Sequence, residues 1–94
     1  MLIFRFDGFI DTQESLVPFK VRIERPISSS KSEYFCTVEV SPLLVTAKHI
    51  FGSDAAQATT LALRFLRTIV SGYRVYDAKK ESIQFDDLLK EDLS

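Results

Sequence analysis

The most constraining feature of the sequence is a change of hydrophobic period across Phe51–Gln57. Before this segment apolar residues alternate with polar ones, as they do in half-buried strands. After it, apolar residues recur every three or four positions as far as Tyr73, as they do on one face of a helix. We therefore predict an α+β domain in which a run of strands is followed by one long helix.

Four strands are predicted ahead of the helix. The first covers Leu2–Ile10, and the second, Val17–Arg25, has the clearest alternation in the chain. The polar segment Ile27–Ser32 is predicted to be a hairpin loop. The third and fourth strands are predicted at about Glu33–Val40 and Leu43–Phe51. Since short connections join consecutive strands, the sheet is predicted to be an antiparallel meander.

The helix is predicted to cover about Asp54–Ser71. Asp54 and Gln57 have the spacing of a capping box, in which a side-chain oxygen accepts a hydrogen bond from an exposed backbone amide. Ser53 is an alternative cap, which would leave Asp54 in the first turn, where negative charge suits the helix dipole. Gly72 suits the left-handed residue that ends many helices.

The segment after the helix is predicted to be a short extension. Tyr73–Asp77 and Ser82–Phe85 are candidates for short strands, and Asp86–Leu93 for a last helical turn. The sequence leaves two positions open for this extension. Either it covers the second face of the sheet, or an apolar patch stays exposed there and marks a partner or dimer surface. The residues of such a patch would be Ile3, Phe35 and Val45.

Composition and charge exclude several functional classes. The 94 residues carry a net charge of −1, and the basic residues form no cluster of the kind that nucleic acid requires. No segment has the roughly 18 consecutive apolar residues of a membrane span. Arg5 and Asp7 lie where a signal peptide would have its apolar run. We expect one domain, residues 1–94, in the cytoplasm, without nucleic-acid or membrane partners.

Few residues of the chain suit catalysis. His49 is the only histidine and Cys36 the only cysteine, so the chain holds no pair of zinc ligands at zinc spacing. Cys36 lies among core-directed residues, whose apolar surroundings raise the pKa of a thiol and leave it unreactive. We predict no catalytic residue, metal or cofactor. If there is a pocket for small-molecule chemistry, it is expected between sheet and helix, near His49 and Asp54.

Three features lie between residues 21 and 70: Arg22 and Arg25-Pro26 at the end of a strand, Tyr34-Phe35-Cys36 in the next strand, and Gly52-x-Asp54-x-x-Gln57-Ala58 opening a helix that continues with Ala62-Leu63. In these features the chain resembles a family of small bacterial proteins known as a domain of unknown function. The resemblance implies an antiparallel sheet backed by one helix, and it brings no activity or catalytic residue.

These observations favour a non-catalytic protein-binding module. Some members of the resembled family are similar in size and architecture to immunity proteins, so the resemblance implies a module of immunity or antitoxin type. The predicted fold has two layers, an antiparallel meander of about four strands packed on one long helix, with a short C-terminal extension. The partner would be another protein, further copies of the chain, or both. A small-molecule-binding protein or minor enzyme using the pocket near His49 and Asp54 is the alternative, and a structural subunit of a larger assembly is a third. The candidate interaction surface consists of Ser29, Ser30, Lys31, Phe35, Arg64 and Arg67.

Overall fold

The structure, a computed structural model, describes residues 2–30 and 32–93. Within these residues the chain forms one antiparallel sheet of seven strands with two helices against it. The predicted α+β class is therefore confirmed, whereas four strands is too low a number. In chain order the elements are β1 (Leu2–Asp11), β2 (Leu16–Glu24), β3 (Ile27–Ser30), β4 (Glu33–Ser41), β5 (Lys48–Gly52), α1 (Ala55–Val70), β6 (Val75–Tyr76), β7 (Ser82–Ile83) and α2 (Phe85–Leu93).

The predicted strands differ from the observed ones mainly around β3 and β5. Ile27–Ser30, predicted to be part of a loop, pairs with β4 although it has no alternating pattern. Conversely, only Lys48–Gly52 of the predicted fourth strand is extended and paired, because the segment 42–47 forms a turn. The short strands β6 and β7 lie within the two segments predicted for them.

The strand order follows from the pairing of β4, which has partners on both edges. On one edge Val38 pairs with Ile23 of β2, and Phe35 pairs with Ile27 of β3. On the other edge Phe35 pairs with Phe51 of β5. Since β2 and β3 follow each other along the same edge, they form one line of strand interrupted before β3. The order across the sheet is therefore β5, β4, β2 with β3, β1, β6 and β7.

The two faces of this sheet are covered differently. The inner face, as we call it, is apolar and packs against α1 through the buried residues Ala58, Ala62 and Leu66. Side chains alternate along a strand, so the neighbours of these inner residues point to the outer face. The inner-face residues of β2 and β4, all of them buried, are Phe19, Val21, Ile23, Cys36, Val38 and Val40.

Helix α1 begins with the predicted capping box. Asp54 is the N-cap, and its Oδ1 accepts a hydrogen bond of 2.7 Å from the backbone N–H of Gln57. In return, Gln57 Oε1 accepts one of 2.6 Å from the backbone N–H of Ser53. Gly52, just before the cap, has no room for a side chain, because a Cβ atom there would collide with the backbone of Ala58. This glycine lets the end of β5 meet the start of α1 closely.

In the C-terminal extension, β6 and β7 lengthen the sheet beside β1, and α2 packs on the inner face beside α1. Phe85 is buried at the start of α2, and its ring centroid lies 5.3 Å from that of Phe6 and 5.9 Å from that of Phe19. Leu89, one turn further on, is fully buried. Helix α2 therefore completes the core on the inner face. The β6–β7 turn reaches the outer face at its β1 side, where Lys80 Nζ lies 5.2 Å from the ring centroid of Phe9.

Candidate functional site

An aromatic patch lies on the outer face, where β3, β4 and β5 run side by side. Phe35 stands in the middle strand, between Ile27 on β3 and Phe51 on β5. Its ring centroid is 4.6 Å from that of His49 and 5.5 Å from that of Phe51. We define the aromatic patch as these four residues: Ile27, Phe35, His49 and Phe51.

Much of the patch is accessible to solvent. Ile27 keeps 56% of its surface exposed and Phe51 keeps 48%. His49 is exposed as well, and Phe35 is half-buried between its neighbours. A single exposed apolar side chain is common on protein surfaces, but a contiguous apolar set on one sheet face is typical of an interaction site.

The outer face becomes charged beyond the patch. Arg22 lies opposite Glu39 on one side and Arg5 on the other. Asp7 accepts a hydrogen bond of 2.7 Å from Arg22 Nη2 and one of 3.0 Å from Arg5 Nε. These two hydrogen bonds, that of Arg22 first, lower the pKa of the Asp7 carboxyl. An apolar centre beside a charged margin is the usual layout of a protein interface.

The sheet residues of the predicted surface lie in or near the patch. Phe35 is its central residue, and Ser29 and Ser30 belong to the same strand as Ile27, β3. The Oγ of Ser29 lies 3.5 Å from Oε1 of Glu33, across the β3–β4 turn. Lys31 lies outside the described residues.

The two predicted arginines belong to a different side of the molecule. Arg64 and Arg67 are on α1, which packs against the inner face, whereas the patch is on the outer face. Arg64 is exposed, and Arg67 Nε lies 3.7 Å from Asp86 Oδ1 of α2. These arginines therefore do not form one continuous surface with Phe35.

The sequence alone does not show that His49 and Phe51 lie on the exposed face of the sheet. The predicted fourth strand, Leu43–Phe51, has apolar residues at both odd and even positions, so its pattern does not say which face is buried. The signal that distinguishes them is the pairing with β4, which puts His49 opposite Thr37 and Phe51 opposite Phe35.

The predicted pocket near His49 and Asp54 has no geometric support. His49 points to the outer face, whereas the space between sheet and helix is on the inner face. Asp54 already uses a carboxylate oxygen to cap α1. The two side chains therefore do not line a common pocket between the sheet and α1.

Cys36 is inaccessible to a substrate. It is fully buried on the inner face, and this burial raises the pKa of its thiol, against the smaller opposing effect of a hydrogen bond with Thr59. His49 is on the other face of the sheet and cannot serve as its base. The geometry gives this pair no means of nucleophilic catalysis.

A cleft of about 480 Å³ lies between the end of α1, strands β6 and β7, and the start of α2. It is lined by polar as well as apolar side chains, among them Arg67, Tyr73, Gln84 and Asp86. The Nε atom of Arg67 is buried and has no hydrogen-bond partner among the described residues. The cleft is large enough for a small polar molecule.

No family model matches this chain, and no curated protein or solved structure matches it significantly. In the part of the chain that the structure describes, no three His, Cys, Asp or Glu side chains are grouped as metal ligands. Neither of the two described helices is long and apolar enough to cross a membrane. Function is therefore inferred from the geometry of the surface.

Proposed function

We propose that this chain is a non-catalytic protein-binding module of the bacterial cytoplasm that binds its partner through the aromatic patch. The observation that carries the proposal is a contiguous set of side chains on the sheet face opposite the helices, in which the exposed Ile27, His49 and Phe51 surround the half-buried Phe35. An immunity or antitoxin protein would be a member of this class.

The chemistry of the patch suits binding to a protein surface. Aromatic side chains provide a large contact area and lose few rotatable bonds when they become ordered, which is why they are enriched in binding hot spots. Covering Ile27 and Phe51 would remove apolar area from water at a gain of roughly 25 cal/mol per Å². With a net charge of −1, the chain offers no electrostatic reason to bind nucleic acid.

Capture of a partner by variant chains tests this proposal. Ile27→Glu puts a charge at the exposed margin of the patch, and Phe35→Glu puts one at its centre. Arg64→Glu is the control, because it puts a negative charge at an exposed position on α1 and, by also removing a positive charge, changes the net charge more than either patch variant does. We expect the unaltered chain and Arg64→Glu to capture the same stoichiometric protein from a lysate of the source organism, and both patch variants to lose it.

Circular dichroism must first show that each variant is folded, so that loss of the partner can be attributed to the substituted surface. Loss of the partner by Arg64→Glu together with retention by Ile27→Glu would overturn the proposal and move the binding surface to the helix layer. Because Ile27 is the more exposed of the two patch positions, its variant keeps the test valid if Phe35→Glu does not fold.

The cleft beside Arg67 favours one alternative, a small-molecule-binding protein. Its volume of about 480 Å³ and its polar lining are within the range of ligand sites. In this alternative a small molecule that raises the unfolding temperature of the unaltered chain would lose its effect in Arg67→Ala and keep it in Ile27→Glu. If the chain is instead a protein-binding module, neither Arg67→Ala nor Ile27→Glu should change the effect of a small molecule on the unfolding temperature.

A further inference from the structure

Strand β5 is an edge of the sheet with an unprotected backbone. It pairs with β4 along one side, from Lys48 opposite Val38 to Gly52 opposite Tyr34. Among the described residues no strand pairs with its other side. Proteins blunt such an edge with proline, bulges, charged side chains or a very short strand, since its free N–H and C=O groups accept another strand. β5 is a strand of five residues with regular pairing, no proline and one charged residue, Lys48 at its start, so its centre from His49 to Phe51 has none of the blocking side chains.

The surfaces on both sides of this edge are apolar. On the outer face, His49 and Phe51 of the patch belong to β5 itself. On the inner face, the flank of α1 that lies away from α2 approaches the edge. Because successive residues are about 100° apart on a helix, Phe65 lies on the flank opposite Arg67, which contacts α2. Leu61, one turn before Phe65, is on that same flank and is half-exposed.

We propose that the β5 edge binds a second copy of this chain, in an antiparallel pairing that joins two sheets into one. The two β5 strands would be related by a twofold axis at Ile50. In this register His49 of each copy lies opposite Phe51 of the other copy, on the outer face. A twofold axis makes each contact occur twice, as in most small homodimers. The two aromatic patches become neighbours on one continuous sheet surface.

Charge favours a second copy in this orientation. β5 has a cation, Lys48, at its start, and an anion, Asp54, follows its end. Antiparallel pairing brings the Lys48 end of each strand to the Asp54 end of the other, so opposite charges approach at both ends. Parallel pairing would instead bring like charges together. Opposite charges across neighbouring strands stabilise their pairing, and like charges oppose it.

A stable dimer needs more contact area than the edge of β5 supplies alone. A standard dimer interface takes about 800 Å² from each partner, which is more than a short strand edge supplies. The apolar α1 flank, Leu61 and Phe65, would pack against the same flank of the other copy and provide the remainder. A second copy continues both the sheet and the helix layer across the edge. It therefore fits the edge better than an unrelated extended peptide, which could continue only the sheet.

A charge-swap experiment on the isolated chain tests both the dimer and its register. By light scattering after size-exclusion chromatography, we expect the unaltered chain to have twice its monomer mass of 10.7 kDa. In the variant His49→Lys/Phe51→Lys, the lysine at position 49 of each copy lies opposite the lysine at position 51 of the other copy. Because like charges repel, this variant should be monomeric. His49→Glu/Phe51→Glu should be monomeric for the same reason. An equimolar mixture of the two should form a heterodimer, detectable by native mass spectrometry.

The control is Thr60→Lys/Ala78→Lys, which adds the same charge at exposed positions away from β5 and should stay dimeric. Circular dichroism would establish that all variants keep the fold. If the unaltered chain stayed monomeric over a roughly hundredfold range of concentration, the dimer would be overturned. A dimeric double-lysine variant, or no heterodimer in the mixture, would overturn this pairing of β5. The inference does not rest on the proposed function, because the isolated chain can dimerise whether or not Ile27→Glu affects capture of another protein.

Discussion

Cys36 and Phe35 show how adjacent residues of one strand acquire different roles. Both are apolar and neighbours in β4, yet Cys36 is fully buried against α1 and Phe35 lies in the patch. The reason is the two-residue repeat of a strand, which sends successive side chains to opposite faces. The sequence predicts this alternation and an inert thiol at Cys36. It cannot predict that the face of Phe35 stays open to solvent.

The buried thiol gives a pH-dependent prediction. Because burial raises the pKa of Cys36 in the folded state, the unfolded chain ionises first as the pH rises above about 8.5. The unfolded state then binds fewer protons than the folded one, so the free energy of unfolding falls with rising pH in this range. Cys36→Ala lacks this group. The stability of the unaltered chain relative to Cys36→Ala should therefore decrease between about pH 7 and about pH 10.

Urea denaturation of both chains at the two pH values measures this difference, and the comparison cancels the titration of other groups. A constant difference would mean that the pKa of the Cys36 thiol is the same in the folded and unfolded states. Reaction with a thiol reagent provides a second check, since the folded chain should react much more slowly than the urea-unfolded one.

At the scale of elements, α1 is specified by local signals and β3 is not. Asp54, Gln57 and Gly72 mark the two ends of the helix, and these signals involve only residues near them in sequence. β3 has an apolar residue followed by serines and no strand pattern. It is extended because the edge of β4 beside it is free to pair, and backbone pairing does not depend on the side chain.

Substitution of the N-cap Asp54 tests how much a local signal contributes to the stability of α1. Asp54→Ala removes the acceptor for the Gln57 N–H and should cost about 1 kcal/mol of unfolding free energy. Asp54→Asn keeps an acceptor oxygen in the same place and should cost much less. Chemical denaturation measures both values. Equal losses in the two variants would show that the charge near the helix start, and not the hydrogen bond, stabilises α1.

At the scale of the whole molecule, the fold depends on contacts between distant segments. Phe85 of α2 packs against Phe4 and Phe6 of β1 and Phe19 of β2, which joins the two ends of the chain. A domain of 94 residues buries a limited fraction of its surface. Each large buried side chain therefore contributes a large part of the total stability.

Phe85→Ala should lower the free energy of unfolding by about 3–5 kcal/mol, because it empties the centre of this aromatic cluster. Since domains of this kind are stable by about 5–15 kcal/mol, a large decrease in the urea midpoint is expected. Tyr73→Ala is the control, an aromatic residue with 44% of its surface exposed. If the two variants lost the same stability, α2 would not be part of the core in solution.

The sequence by itself determined the α+β class, the bounds of α1 and the positions of most strands, because hydrophobic period and capping act over a few residues. Only the tertiary structure decided what covers each face. It placed α2 beside α1, left the patch of Ile27, Phe35, His49 and Phe51 accessible to solvent, and separated Phe35 from Arg64 and Arg67. These outcomes depend on pairing and packing between segments far apart in the chain, and the period within one segment carries no information about its distant neighbours.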